Sequence, residues 1–288
     1  SSSFQSMGGE VRINSEVDRI IVKGRKATGV ALISGEEIKA RAVISNLDAK
    51  RTFLEIMDRN DLPEQLVHRA KNFKIRGSSG KVNIALDGMP DFPALPNNSP
   101  LTLGHMHFTD TLERLERAYD EWKDDRWSSD PYVDMVIPTQ YDPTMTPPGK
   151  HMMSVFVQYC PVEAEGGWTN LQRDAFGAAV IDQIAEYSPN FKELILHAEI
   201  RTPREIEAEV GLTEGNIFQG ELTLDQLMFN RPFPGYSQYR GPVKNMYMCG
   251  SSTHPGGGVM GAPGVNAARE ILKDLGKPDS TPQDFGDD

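Results

Sequence analysis

The sequence predicts an α/β fold built in two parts, and three observations lead to this prediction. Toward the end, a short apolar run at 245–249 precedes a glycine-rich turn and a segment with helical periodicity. Near the start, runs with period-two alternation stand between turn residues, which indicates an antiparallel meander. The residues between them, 48–239, combine longer strands with amphipathic helices. We therefore expect 8–47 and 240–276 to form one discontinuous domain and 48–239 to form a second, inserted domain.

The composition indicates a globular chain whose partners are small molecules or proteins. A formal net charge of −11 over 288 residues, without any cluster of Lys or Arg, argues against a nucleic-acid surface. Cys160 and Cys249 both lie in apolar runs, so we expect neither a disulfide framework nor a zinc ribbon. This favours a reducing compartment, the cytoplasm or a mitochondrial matrix. No apolar run has the length of a transmembrane helix.

The two terminal segments are left out of the fold prediction. Residues 1–7, SSSFQSM, resemble the remnant of a cleavable purification tag. Residues 277–288 are polar and acidic and contain proline, so we expect a flexible tail.

The meander is predicted from four short strands at the start of the chain. They are separated by turn chemistry such as Gly24-Arg25 and Ser34-Gly35-Glu36. The predicted strands are Val11 to Ile13, Val17 to Lys23, Ala27 to Ile33 and Ile38 to Ser45. Asn46 follows the last of them, and its residue type also suits a turn or a helix cap together with Asp48.

The inserted region is predicted to begin with helices at 49–58 and 63–73 and to continue with a strand at 81–86. A strand at 101–108 carries His105 and His107, whose spacing places both imidazoles on one face. Two histidines without a nearby carboxylate or cysteine ligand make a poor metal site, so we expect them to pack or to form hydrogen bonds.

Further helices and strands alternate through the rest of the insertion. We expect helices at 111–122 and 176–187 and strands at 132–138, 151–159 and 194–201. Thr202-Pro203-Arg204-Glu205 combines a capping box with proline at the first helical position, and Gly211 ends the helix that follows. Aromatic side chains then collect in loop-rich sequence, where we favour a pocket over a core. They are Phe218, Phe229, Phe233, Tyr236 and Tyr239.

The glycine-rich stretch is predicted to be an anion site. Asn245 to Cys249 suits a buried strand, Gly250 interrupts it, and a helix from Pro263 to Leu275 begins where the glycines end. The unpaired N–H groups of that helix would face the turn. The spacing G-x-G-x-x-G occurs here, but no second strand with an acidic residue follows, so we reject an independent dinucleotide-binding unit. A loop that only packs the helix against the sheet is the alternative.

The stretch YMCGSSTHPGGGVMGAPGVNAA is similar to the C-terminal flavin-binding signature of the phytoene desaturase-like branch of the FAD-dependent amine oxidase superfamily. The resemblance extends over nearly the whole chain. The other segments that carry it are GGEVRINSEVDRIIVKGRKATGVAL, AVISNLDAKRTF, DPTMTPPGKHMMSVFVQYCP, GLTEGNIFQGELTLDQL and RPFPGYSQYRGPV.

This resemblance implies a partial Rossmann-like FAD-binding domain and an inserted substrate domain with a mixed or antiparallel sheet. It implies that the backbone of Val17 meets the adenine and that Asn46 returns the chain toward the flavin. Gly250 and Ser251 would lie near the ribityl and pyrophosphate portion. The isoalloxazine edge would lie along Gly257, Gly258, Val259, Met260 and Gly261. The catalytic residues are not indicated.

The resemblance makes the intact protein a FAD-dependent oxidoreductase, with an apolar or isoprenoid-like small molecule as its substrate class. Such enzymes open with a strand, a G-x-G-x-x-G turn and a helix, and no such motif precedes Gly8-Gly9-Glu10. We therefore expect a C-terminal fragment that is inactive alone, holds FAD weakly or not at all, and is able to self-associate as a homo-oligomer. Two alternatives are a non-catalytic binding or regulatory module and a hydrolase that uses Ser251 or Ser252 with His254 and a distant Asp.

Overall fold

The computed structural model describes residues 2–96 and 99–279. The described chain divides into two compact units, one formed by the residues up to Ile75 together with those from Phe218 onward and the other by those from Arg76 to Ile217. The mixture of helices and sheets confirms the predicted α/β class. Of the predicted tail, 280–288 lie outside the described residues.

The strands and helices are numbered in chain order. The strands are β1 (Val17–Lys23), β2 (Lys26–Leu32), β3 (Glu37–Lys39), β4 (Val43–Ser45), β5 (Ser79–Leu86), β6 (Met106–His107), β7 (Tyr132–Val136), β8 (His151–Gln158), β9 (Ile195–Arg201) and β10 (Met246–Met248). The α-helices are α1 (Ser2–Ser6), α2 (Glu64–Lys71), α3 (Leu112–Lys123), α4 (Asn170–Tyr187), α5 (Phe191–Leu194), α6 (Pro203–Val210) and α7 (Ala262–Asp274).

The first unit contains two small sheets. β1, β2 and β3 form the predicted antiparallel meander, whereas β4 pairs in parallel with β10. The predicted strand from Ile38 to Ser45 is therefore two strands, because β4 leaves the meander to join a partner from the far end of the chain. The predicted strand from Val11 to Ile13 is wrong, since these residues are exposed and form no ladder.

The core of the first unit includes residues that were predicted to belong to the inserted domain, so the observed domain boundaries differ from the predicted ones. Phe53 packs against Phe233, and Phe73 meets Phe233 edge to face, in a cluster that also contains Ile20 and Met246. Residues 48–75 and 218–239 therefore belong to the same compact unit as the meander and β10, not to the inserted unit. Their buried aromatic rings provide the apolar surface that the short strands lack.

The second unit is built on one antiparallel sheet with the strand order β6-β7-β8-β5-β9. Its covered face contributes Ile84, Val133 and Val155 to a core that α4 completes with Phe176 and Val180. The predicted strand at 101–108 is mostly wrong, because 100–103 form a 3-10 turn and only β6 is extended.

Two further local predictions have different outcomes. In the first unit, the predicted helix at 49–58 shortens to a π-helical turn, Arg51–Glu55. In the second, Thr202 and Glu205 form the predicted reciprocal capping box, and Gly211 ends α6 in the left-handed conformation at φ 75°. Among residues 2–96 and 99–279, no helix is both long and apolar enough to span a membrane.

Candidate functional site

The candidate site lies where β4 and β10 end side by side. The two strands are parallel, and the Cys249 N–H donates to the Ser45 carbonyl at 2.9 Å. Asn46 and Gly250 are therefore neighbours, and a Cβ on Gly250 would lie 2.4 Å from the Asn46 carbonyl oxygen. Only glycine allows this approach. The structure thus brings together two residues that the resemblance assigns to the flavin.

The first half of the turn, 250–254, is fixed by hydrogen bonds from several directions. The Ser252 hydroxyl accepts from the Ala49 N–H at 3.1 Å and donates to the Gln219 carbonyl. The Thr253 N–H and hydroxyl both donate to the Gly250 carbonyl, and the Tyr239 hydroxyl donates to the His254 carbonyl at 2.8 Å. Because Ser252 is fully buried and committed to backbone partners, it does not serve as a hydrolase nucleophile.

The second half of the turn is open. Val259 is fully exposed and Met260 is 58% exposed, and Val259 has a positive φ of 67°. Gly258 and Gly261 also have positive φ, at 144° and 68°. A β-branched residue such as Val is rare in this region, so Val259 is a strained position. Strain combined with exposure is a feature of ligand-binding turns.

Helix α7 begins directly after the turn, with Gly261 as its left-handed N-cap and Pro263 in its first turn. A Cβ on Gly261 or on Gly264 would meet no atom within 4 Å, so the backbone at the start of the helix is accessible. The unpaired N–H groups and the positive end of the helix dipole lie at this opening. This arrangement would suit an anionic or electron-rich group, and the anion site at this turn stays a prediction.

The buried Arg231 is part of the site, although the sequence pattern did not indicate it. Its side chain is fully buried below the turn, and its Nε donates to the Ser251 carbonyl at 2.9 Å. The other acceptors are the carbonyl oxygens of Phe218, Gly220, Glu221 and Gln226. The available signal was an arginine within RPFPGYSQYR, next to loop residues without a helical or strand pattern.

Most members of the predicted aromatic pocket belong to cores instead. Phe233 is 4% exposed and Tyr239 is 7% exposed, and Tyr236 packs against Phe53. Phe218 lies at the turn, where a Cβ on Gly257 would come within 3.2 Å of its ring, and Phe229 is exposed. The loops bury these rings because the short strands leave apolar surface that needs cover.

A separate polar cluster lies on the second unit's sheet. His105 Nδ1 is 3.0 Å from Asp134 Oδ1, and His107 bonds to the Tyr132 hydroxyl, which confirms hydrogen bonding for both histidines. On the same sheet, the Lys81 ammonium donates to the Ser154 hydroxyl, and burial lowers the pKa of Lys81. Among residues 2–96 and 99–279, no group of three or more His, Cys, Asp and Glu side chains could hold a metal ion.

Comparison with known proteins decides the family. Residues 2–272 match the family model of flavin containing amine oxidoreductases. The chain belongs to the flavin-containing amine oxidoreductase family. It is 38% identical over 285 residues to pyridine nucleotide-disulfide oxidoreductase domain-containing protein 2 of Mus musculus, covering 95% of this chain and 49% of that protein.

More distant relatives match over a similar share of the chain. A limonene dehydrogenase subunit of Castellaniella defragrans is 26% identical over 289 residues, covering 93% of this chain and 52% of the relative. A redesigned putrescine oxidase shares the fold with a TM-score of 0.57 and 14% identity, covering 94% of this chain and 50% of that structure. The chain therefore spans about half the length of the relatives it matches.

The turn has properties that fit the flavin of this family. Gln219 Oε1 is buried and has no hydrogen-bond partner among the described residues, and it would lie 2.7 Å from a Cβ on Gly250. The orphaned acceptor lies beside the start of the turn, and the open glycines and the helix N-terminus lie at its end. Val17 lies instead in the meander sheet, at the start of β1, and its contact with the adenine stays a prediction.

Proposed function

We propose that the intact protein is a FAD-dependent oxidoreductase and that this chain supplies the wall of the flavin site formed by 250–261. The observation that carries the proposal is the parallel β4–β10 pair leading into the open glycine turn and α7. Membership in the flavin-containing amine oxidoreductase family supports it. In the proposal, the predicted contacts are Val17, Asn46, Gly250, Ser251 and 257–261.

The residues of the turn would orient the cofactor and stabilise charge on it. A bound flavin supplies the hydride-accepting ring. The N-terminus of α7 would favour negative charge near N1 and O2 of the reduced ring through its free N–H groups and its dipole. Gly258 and Gly261 would let the ring edge approach the backbone, while the fixed half of the turn keeps Gly250 and Ser251 in place.

We propose an apolar or isoprenoid-like small molecule as the substrate. Two relatives support this class by their names, a limonene dehydrogenase subunit and a lycopene-forming phytoene desaturase that is 25% identical over 279 residues. A reducing compartment, the cytoplasm or a mitochondrial matrix, agrees with two free cysteines, of which Cys160 is buried.

We further propose that the FAD site is completed by residues beyond these 288, because the relatives are about twice as long. Alone, the chain would hold FAD weakly and would not turn over, and a sheet edge left without its partner strands would favour self-association. Titrating the 288-residue chain with FAD by fluorescence quenching and calorimetry tests this. Saturable binding at micromolar concentration or tighter, or a yellow preparation from expression, would contradict it.

The proposed activity is tested by the absorption spectrum of the purified full-length protein. We expect flavin bands, and bleaching of those bands under anaerobic conditions by a suitable apolar donor. A protein without flavin after reconstitution with FAD would favour a non-catalytic binding or regulatory module. Hydrolysis of ester substrates without flavin would point to the hydrolase, which the buried Ser252 disfavours.

A further inference from the structure

Among the described residues, Arg231 is the one arginine whose side chain is buried. Its side chain is fully buried, yet each of its hydrogen bonds goes to a neutral backbone carbonyl. Among the described residues, no carboxylate forms an ion pair with it. Burial lowers the pKa of Arg231 to about 10, so the guanidinium stays protonated at neutral pH. Burying a charge without a counter-ion costs free energy, so packing alone does not account for an arginine at this position.

The guanidinium lies directly beneath the glycine-rich turn. Its Nε bonds to the Ser251 carbonyl, and a Cβ on Gly256 would lie 3.5 Å from the same nitrogen. The Ser251–Ser252 peptide is trans, so its N–H points opposite to its carbonyl and away from the guanidinium. The Ser251 carbonyl therefore faces the guanidinium, and the Ser252 N–H faces away from it. Arg231 also joins the turn to 218–226, the segment that carries Gln219.

We propose that Arg231 is a positioning residue that fixes the Ser251–Ser252 peptide and places a buried positive charge behind the turn, where it favours a negatively charged group of the bound flavin. This rests on the proposed function. Two groups of a flavin carry such charge: the pyrophosphate of FAD in both oxidation states and the ring only after reduction. Arg231 does not touch either group, because it is enclosed by the backbone it holds.

The test uses the full-length protein with three substitutions of Arg231. Arg231→Lys keeps the charge and N–H donors, Arg231→Gln keeps donors without the charge, and Arg231→Met keeps neither. Ile20→Ala is the control, because it removes a buried side chain of the same unit that is no part of the turn. The dissociation constant of oxidised FAD reports on the pyrophosphate, and the midpoint potential of the bound flavin reports on the ring.

We expect Arg231→Gln and Arg231→Met to raise the FAD dissociation constant by about tenfold or more, to shift the potential to more negative values, or both. Arg231→Lys should retain most of the wild-type behaviour, and Ile20→Ala should change neither quantity. If Arg231→Met does not fold, the comparison of Arg231→Lys with Arg231→Gln tests the role of the charge. Both of these variants keep N–H donors, and they differ in charge.

Equal values for Arg231→Gln, Arg231→Lys and the control would overturn the inference while leaving the flavin assignment intact. A wild-type protein that binds no FAD would instead overturn the proposed function itself. The two failures are therefore distinguishable in one set of measurements.

Discussion

At the scale of single residues, His254 is held in place by a hydrogen bond to its backbone carbonyl. Its carbonyl accepts the Tyr239 hydroxyl, and its Nδ1 is buried without a hydrogen-bond partner among the described residues. A general base needs an orienting partner, usually a carboxylate. We infer that His254 is a neighbour of the site and not its base.

We therefore predict that the flavin bound to the His254→Ala variant is reduced at the wild-type rate. The side chain does not take part in proton transfer, so only a modest loss of stability is expected. Stopped-flow reduction of the flavin in full-length protein measures the rate, with Tyr239→Phe as the control that removes the bond to the His254 carbonyl. A loss of several orders of magnitude, with flavin still bound, would require a catalytic role.

A second residue-scale prediction concerns pH. Arg240 contacts Asp274 through two hydrogen bonds of 2.7 and 2.9 Å, and this guanidinium lowers the pKa of the Asp274 carboxyl below its ordinary 3.8. A carboxyl whose pKa falls on folding stabilises the protein above its unfolded pKa, and the contribution is lost as pH drops through the folded value. Both side chains are about one-third exposed, so the contribution is about 0.5–1 kcal/mol.

We therefore expect Asp274→Asn to lower the free energy of unfolding at pH 7 and to match the wild type near the acid end, well below pH 3.8. Urea unfolding at a series of pH values provides the measurement. The same substitution in an Arg240→Met background should have a smaller effect, because only the Tyr247 hydroxyl, which donates to Asp274 at 3.0 Å, then remains as a hydrogen-bond partner. A difference that is constant across pH would contradict the pairing.

At the scale of elements, the capping box of α6 is the best-defined local device. The Glu205 N–H donates to the Thr202 hydroxyl, and the Glu205 carboxylate accepts from the Thr202 N–H at 2.8 Å. Thr202→Ala should destabilise the second unit by about 0.5–2 kcal/mol, whereas Thr202→Ser should retain most of the stability. Denaturant unfolding followed by circular dichroism measures both. Equal losses for Ala and Ser would show that the hydroxyl does not cap the helix.

Elements with strong local signals could be predicted from the sequence. The predicted strand at 245–249 and helix at 263–275 agree with β10 and α7 to within one residue at each end, because apolar runs, glycines and proline specify them locally. The break between β3 and β4 could not be predicted, since it depends on pairing with β10 about 200 residues later. Local pattern gives no information about such a partner.

Some residues of the candidate site could likewise be predicted from the sequence, and others could not. Gly250, Gly258 and Gly261 were accessible to sequence reasoning because their backbone conformations or close approaches exclude other residues. Arg231 and Gln219 were not, because their importance arises only when the segment 218–231 folds under the turn. The prediction of an aromatic pocket is wrong for the same reason. The sequence around a loop residue such as Phe233 does not show whether its ring lines a pocket or fills a core.

At the scale of the whole molecule, we propose that the open half of the glycine turn receives a flavin. Gly261 and Gly24 provide a matched pair for testing it. Both have positive φ, 68° and 57°, and a Cβ on either would meet no atom within 4 Å. Replacement by Val therefore strains both positions alike, by about 1–2 kcal/mol. Gly24 lies in the turn between β1 and β2, whereas Gly261 caps α7.

The most direct test is the flavin content of full-length wild-type, Gly24→Val and Gly261→Val proteins, each reconstituted with FAD and measured by its visible absorption per chain. We predict one flavin per chain in the wild type and in Gly24→Val, and at least about a tenfold weaker affinity in Gly261→Val, because the new side chain occupies the space of the ring edge. Full occupancy in Gly261→Val, at an affinity equal to that of Gly24→Val, would contradict a flavin site at the open half of the turn.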